Sequence, residues 1–318
     1  MKPFLSNILL TTLIAGISAG KFDYAAKPRG TAKCALINVA MDESVSTANE
    51  RAFIKNTALP RIGQTLKTNY KYDEVFLCGG AFAGNNRYGS DQYRHKGCTT
   101  INSSGKIRNN AVVTWKRHAG RYEDGYTGMV RSMQDVYDTI EGIDLIAHCG
   151  SIDKNLILVT DEDRDDKDST IVGGATLASV KQMIKDNGYI LNVIANIHIA
   201  NKNINLGMKM EQGGNHNTIF QMDANDPKGY KEIIDTRPYT TIASRDFGKT
   251  REDYARLLID TPGALWNLNS LRAGGNIAST FADVFVEIKV SPSILKCFLL
   301  FQGFNILPFF LSFFLHGL

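Results

Sequence analysis

The chain carries no excess of either charge. Its 318 residues hold 36 Lys plus Arg against 32 Asp plus Glu. Two of the basic residues, Lys2 and Lys296, lie in apolar ends, so the body is close to neutral and offers no strong field for nucleic acid or an acidic membrane. An internal repeat and a low-complexity linker are also missing, which argues for one large domain rather than an array. The histidines, His95, His118, His148, His198, His216 and His316, show no metal-ligand spacing. No nucleophile has an identifiable base, so the sequence is read as that of a non-enzyme.

Residues 1–20 have one Lys, an apolar middle and small residues at Ser18 and Gly20, the layout of a secretory signal peptide. The GISAG run at 16–20, a nucleophile-elbow pattern, falls inside it and is discarded. One domain is expected over 21–292, followed by a hydrophobic tail at 293–318. Cys297 to Leu315 is uncharged and just long enough to span a bilayer, although Gln302, Asn305 and Pro308 interrupt it. A membrane anchor is the leading reading of the tail, ahead of a misassigned chain end or a removed lipid-anchor signal.

The body holds four cysteines, Cys34, Cys78, Cys98 and Cys149, an even number in a secreted chain, so disulfides are expected. Three pairings are open. Cys78 with Cys98 would close a short polar loop, and Cys34 with Cys149 would tie two strands argued below to be neighbours. Asn102, Ser103, Ser104 is an N-glycosylation acceptor pattern in the same polar loop.

Strand-length apolar runs alternate with segments of helical period. Strands are expected at 34–41, 75–80, 111–115 and 156–160 and from Tyr189. Helices are expected through Ile54, Ala58, Ile62 and Leu66, with Pro60 as a kink, through Met129, Met133 and Val136, and through Leu177, Val180 and Ile184. Residues 200–241 loosen into polar stretches with one short strand at Thr218 to Met222. A helix from Thr250 to Asp260 and a closing strand over FADVFVEIKV, 281–290, complete the pattern. The rhythm implies an α/β fold: a doubly wound, mostly parallel sheet with helices on both faces.

The segment NVAMDESVST, 38–47, shows where chemistry sits. A buried strand ends in Asp42, Glu43, Ser44 and Ser46. Thr47 with Glu50 three residues later reads as a capping box, which leaves Asp42, Ser44 and Ser46 unexplained. Asp161 ends a second buried strand. Ligands of doubly wound sheets bind beyond strand carboxyl ends where strand order reverses. If the two strands are neighbours, DESVS and TDEDRD face one crevice, where carboxylates and hydroxyls suit Mg²⁺ or Mn²⁺, with Ca²⁺ as an alternative.

These residues resemble the von Willebrand factor type A domain, the integrin inserted domain. Asp42, Ser44 and Ser46 match its D-x-S-x-S metal-ion-dependent adhesion motif, and Asp161 in LILVTDE matches its later Asp. The resemblance covers roughly 34–290 in element order, with 200–240 matching poorly. It implies a metal held by the serines and helped by the aspartates, whose shell is completed by an acidic side chain of a partner protein. It also implies a Thr from a middle loop. In GRYEDGYTGM, Thr127 is the closest by type, while Glu123 or Asp124 stands closest by position. Asp163 and Asp124 are expected to support the ligands. The expected function is a secreted, cation-dependent protein-binding or adhesion module. The alternatives are a structural extracellular matrix protein without metal-dependent ligand binding, which uses the site, if at all, for stability, and a nucleotide hydrolase using Lys249 in the phosphate-loop-like ASRDFGKT, 243–250. The run DEDRDDKD at 161–168 fails as a calcium loop, because its sixth position is Asp166 and its twelfth is Val172.

Overall fold

A computed structural model describes residues 30–82, 93–116, 124–138, 147–162, 175–199, 204–210, 216–238, 243–245, 253–259 and 261–290. The apolar run before Asp42 forms strand β1, Ala32–Asp42, and alternate residues face opposite sides of the sheet. Ala32, Cys34, Leu36 and Ala40 pack into one core, and Ala35, Ile37, Val39 and Met41 into another. Both faces of β1 are therefore buried, which explains its nearly continuous apolar sequence.

The second core is closed by α1, Ala48–Phe53, a π-helical turn, Ile54–Ala58, and α2, Leu59–Thr68. The three segments run on as one continuous helix, and the wide π turn falls immediately before Pro60, which has no N–H to give the helix. Next come β2, Glu74–Phe82, and β3, Arg94–Thr100. The first core is covered by α3, Gly125–Asp138, through Met129, Met133 and Val136. After β4, Cys149–Val159, helix α4, Leu177–Asp186, opens on a capping box between Thr176 and Ser179 and adds Val180 and Ile184 to the same core.

Strands β5, Tyr189–Ala195, β6, Ile197–Ile199, β7, Asn205–Met210, β8, Asn217–Met222, β9, Tyr230–Asp235, β10, Ala243–Arg245, and β11, Gly263–Asn267, follow. The short α5, Leu268–Arg272, leads to α6, Gly275–Val290. The main sheet has nine strands in the order β3-β2-β1-β4-β5-β11-β7-β8-β9, and β10 pairs with β6 separately. Its centre is parallel: β1 with β2 and β4, β4 with β5, and β5 with β11. The flanks, β2 with β3 and β11 through β7 and β8 to β9, are antiparallel. The fold is mixed α/β, with helices against both faces.

Several expectations are corrected. The sheet is half antiparallel rather than mostly parallel, because residues 205–235 build three strands where one was expected. AVVTW is no strand: Asn110–Val113 is a 3-10 turn capped by the Asn109 side chain. The place beside β2 belongs to β3, which read as a polar loop because it buries little besides Cys98 and Thr99. The AVVTW turn lies over β2 instead, and Gly79 has no room for a Cβ against the Val112 carbonyl. FADVFVEIKV is the end of α6, not a strand. Phe281, Val284 and Phe285 enter one core together, a three-to-four-residue spacing that only a helix brings to one side. The closing strand is β11, whose Trp266 stacks on Phe220 at 5.6 Å and meets Phe285 edge-on at 5.0 Å. Of the expected helix at 250–260, Asp253 is helical and Ala255–Leu258 form a 3-10 turn among the described residues.

Both singled-out disulfides are present. Cys34–Cys149 joins the parallel neighbours β1 and β4 with Cα atoms 5.8 Å apart. Cys78–Cys98 joins the directly opposed residues of β2 and β3 at 4.1 Å. The second bridge is thus a cross-strand link that closes the segment between β2 and β3. Among the described residues, no helix is long and apolar enough to cross a membrane. The expected signal peptide and tail lie outside the described residues.

Candidate functional site

Strand order reverses at β1: β2 lies on one side of it and β4 on the other. Asp42 ends β1, and Asp161 stands two residues beyond the end of β4. Asp42 is fully buried. Its Oδ1 accepts from the Ser44 N–H at 2.7 Å, and its Oδ2 accepts from the Thr160 hydroxyl at 3.3 Å. The carboxylate therefore folds the following turn back on itself and ties the two strand ends together. Ser44 Oγ and Ser46 Oγ are 3.0 Å apart, and Ser46 Oγ donates to Asp161 Oδ1 at 3.0 Å. Asp42, Ser44, Ser46 and Asp161 thus form one connected set at the reversal point.

The turn is held from below. Thr47 Oγ1 donates to the carbonyls of Asp42 at 2.8 Å and Ser44 at 3.1 Å. Arg51 donates to the Ser44 carbonyl at 2.6 Å and to Thr47 Oγ1 at 2.5 Å. The expected capping box is therefore absent. Thr47 does precede α1, but its side chain makes no cap bond, because its hydroxyl is committed to these carbonyls. Glu50 is drawn to Arg272, whose Nε lies 2.5 Å from Glu50 Oε1.

Arg272 is the principal residue that the sequence reading missed. Its Nη2 donates to Asp161 Oδ2 at 2.7 Å and to the Ser46 carbonyl at 3.3 Å. Its side chain is 31% exposed, against 6% for Asp161 and 1% for Glu50. Partial burial disfavours the guanidinium charge, but the hydrogen bonds and charges of Glu50 and Asp161 outweigh it and raise the pKa above the ordinary value. Nothing in LNSLRAGG announces this role; only the passage from β11 into α5 brings Arg272 to the end of β1. Glu43 points elsewhere, to Arg94 at 2.5 Å, Lys96 at 3.1 Å and the Lys116 N–H at 2.7 Å.

The start of α3 packs on the end of β2. Asp124 Oδ1 accepts from the Tyr126 N–H at 3.1 Å, and its Oδ2 accepts from Thr127 Oγ1 at 2.7 Å. Gly128 lets this turn close on Phe82, with 2.5 Å from a built Cβ to the ring, and Phe82 pairs with Asp42 in register. The Asn38 side chain donates to the Ser132 carbonyl at 2.8 Å and fixes α3 along β1. Tyr254 lies fully buried beneath, accepting from the Gly125 N–H at 3.1 Å. Burial first, then the nearby charges of Asp124, Asp253 and Asp42, hold its phenol well above the usual range.

The donor set is made of hard oxygens, as Mg²⁺ or Mn²⁺ requires. Two oxygens at right angles, each about 2.1 Å from a cation, stand about 3.0 Å apart, and this is the spacing of Ser44 to Ser46 and of Ser46 to Asp161. The same spacing serves as hydrogen bonds when no cation is bound. Among the described residues, no three of His, Cys, Asp and Glu converge as a metal cluster, so a cation here would depend on the hydroxyls as well as the carboxylates. Glu123, Asp163 and Lys249 lie outside the described residues. Asn102 is exposed in the turn after β3, where its Oδ1 accepts from Ser104 Oγ at 2.8 Å and from the Lys106 N–H at 2.8 Å.

No protein-family model matches the chain, and no curated protein does. Among solved structures, the chain is similar to proximal thread matrix protein 1 of the mussel byssus, with 9% identity and a TM-score of 0.36. The match covers 80% of this chain and 46% of that one, so this chain spans less than half the length of the mussel protein. A likeness of that size supports no transfer of fold family or function.

Proposed function

We propose that this chain is an extracellular binding module of the von Willebrand factor A type, with a doubly wound core, that holds a divalent cation at the ends of β1 and β4. The observation that carries the reading is the connected set Asp42, Ser44, Ser46 and Asp161 at the point where strand order reverses. Ser44 and Ser46 would offer hydroxyl oxygens, and Asp42 and Asp161 would supply the charge. Thr127, oriented by Asp124, would supply a further oxygen from α3. A bound Mg²⁺ or Mn²⁺ supplies a coordination position for a carboxylate from a protein partner. Val45, 41% exposed between the two serines, adds an apolar contact for that partner. The role is binding rather than catalysis. Two disulfides suit a location outside the cell, where such bonds persist.

The ion pair of Arg272 with Asp161 and Glu50 favours a second reading, a structural protein whose site is satisfied internally and binds no metal. Calorimetric titration of Mg²⁺ and Mn²⁺ into the metal-stripped chain separates the two. One-to-one binding that depends on Asp42 supports the module; a folded chain that takes up neither ion supports the structural protein.

A further inference from the structure

Arg272 forks between two carboxylates with unequal claims on it. Nε serves Glu50 Oε1 at 2.5 Å, while Nη2 serves Asp161 Oδ2 at 2.7 Å. Glu50 is fully buried, and among the described residues its second oxygen, Oε2, has no hydrogen-bond partner. A buried carboxylate oxygen left without a donor is costly. A guanidinium can satisfy both oxygens of one carboxylate through two parallel N–H bonds. Glu50 therefore offers Arg272 a second complete seat, reached when Nη2 leaves Asp161 Oδ2 and swings to Glu50 Oε2. Partial exposure of Arg272 leaves it room for that movement.

We infer that Arg272 is a two-position switch: it is the internal counter-cation of Asp161 in the metal-free chain, and it withdraws onto Glu50 when a divalent cation takes Asp161. The inference rests on the metal reading given above. In it, the guanidinium competes with the metal for one carboxylate, and Glu50 sets how readily Arg272 yields. The two neighbours then act with opposite sign. Removing the Arg272 charge frees Asp161 and strengthens metal binding. Removing the Glu50 charge leaves Asp161 as the only carboxylate for Arg272 and weakens it. A purely supporting role for the ion pair would make both substitutions weaken binding, since each would loosen the turn.

The test is calorimetric titration of Mn²⁺ into the metal-stripped wild-type, Arg272→Gln and Glu50→Gln chains, with folding of each checked by circular dichroism. The expected result is binding about tenfold tighter in Arg272→Gln and severalfold weaker in Glu50→Gln. Wild-type binding with no gain in Arg272→Gln would overturn the switch and leave the metal site standing. No binding in wild type or Arg272→Gln would overturn both. Binding by Arg272→Gln alone would make Arg272 a permanent occupant, against both the switch and the metal reading of the native chain. If Arg272→Gln does not fold, Glu50→Gln decides: weaker binding supports the switch, and equal or tighter binding overturns it.

Discussion

Ser46 and Asp161, 115 residues apart in the chain, meet in a 3.0 Å hydrogen bond. The contact follows from the sheet: β1 and β4 run side by side in the same direction, so their carboxyl ends open at the same height. A site assembled this way depends on the charge and shape of each strand end separately, and the two can be pulled apart by substitution.

Asp42 separates charge from scaffold. Asp42→Asn keeps an oxygen to accept the Ser44 N–H and removes the negative charge. It is expected to fold normally and to lose at least about tenfold in Mn²⁺ affinity. Asp42→Ala removes the acceptor as well, strands buried donors and is expected to cost about 1–3 kcal/mol of stability. Urea denaturation beside calorimetry checks both. If the Asn variant keeps full metal affinity, Asp42 is a scaffold residue only.

The two disulfides are expected to differ in worth. Cys34–Cys149 spans 115 residues and Cys78–Cys98 spans 20. Loop-closure entropy gives roughly 4–5 kcal/mol for the longer bridge and about 3 kcal/mol for the shorter. Denaturant midpoints of the two paired Cys→Ser variants test this order. A larger loss from the shorter bridge would mean that native packing of the β3 edge, rather than restriction of the unfolded chain, governs its contribution.

Alkaline pH is expected to unfold the protein. Burial holds the phenols of Tyr72, Tyr93, Tyr230 and Tyr254 above the ordinary value of 10.0, and neighbouring carboxylates add to the shift: Asp153 for Tyr72, Asp135 for Tyr93, Glu287 for Tyr230 and Asp124 for Tyr254. A raised folded-state pKa means that the native chain holds its protons more tightly. Its stabilising share is complete below pH 10 and is lost as the pH rises from there toward the folded values. Urea midpoints should therefore fall above pH 10, and tyrosinate absorbance should rise together with unfolding. Titration of all tyrosines near 10 in a chain that stays folded would contradict the burial.

How much was legible in the sequence depended on whether a signal was local. The runs that became β1, β5 and the last five residues of β4 announced themselves because strand segments buried on both faces are nearly continuously apolar. The DESVS turn was visible because its polar groups interrupt such a run. The disulfide between β1 and β4 followed once those strands were taken as neighbours. Strand β3 stayed hidden, since RHKGCTT has no alternation and owes its state to the free edge of β2. Arg272 was equally hidden, because its meaning is created by the return of α5 toward the β1 end. Thr47 and Glu50 misled for a related reason: their spacing fits a cap, but the Thr47 hydroxyl is committed to the Asp42 and Ser44 carbonyls and Glu50 to Arg272.

The end of the chain body gives the sharpest test of that lesson. In a strand, residues 281, 283 and 285 would share one face and 284 would lie on the other. In α6, Phe281, Val284 and Phe285 share the buried side, while Asp283 faces solvent in an exposed ion pair with Arg61 at 2.5 Å. Val284→Asp places a carboxylate in a fully buried position and is expected to cost several kcal/mol or abolish folding. Asp283→Ala removes only a surface pair and is expected to leave the denaturation midpoint nearly unchanged. Phe281→Ala, which opens a cavity against Trp266 at 5.7 Å, is expected to cost about 3–5 kcal/mol. If Asp283→Ala were the costly substitution and Val284→Asp the tolerated one, the alternating pattern would be real and the segment would be a strand after all.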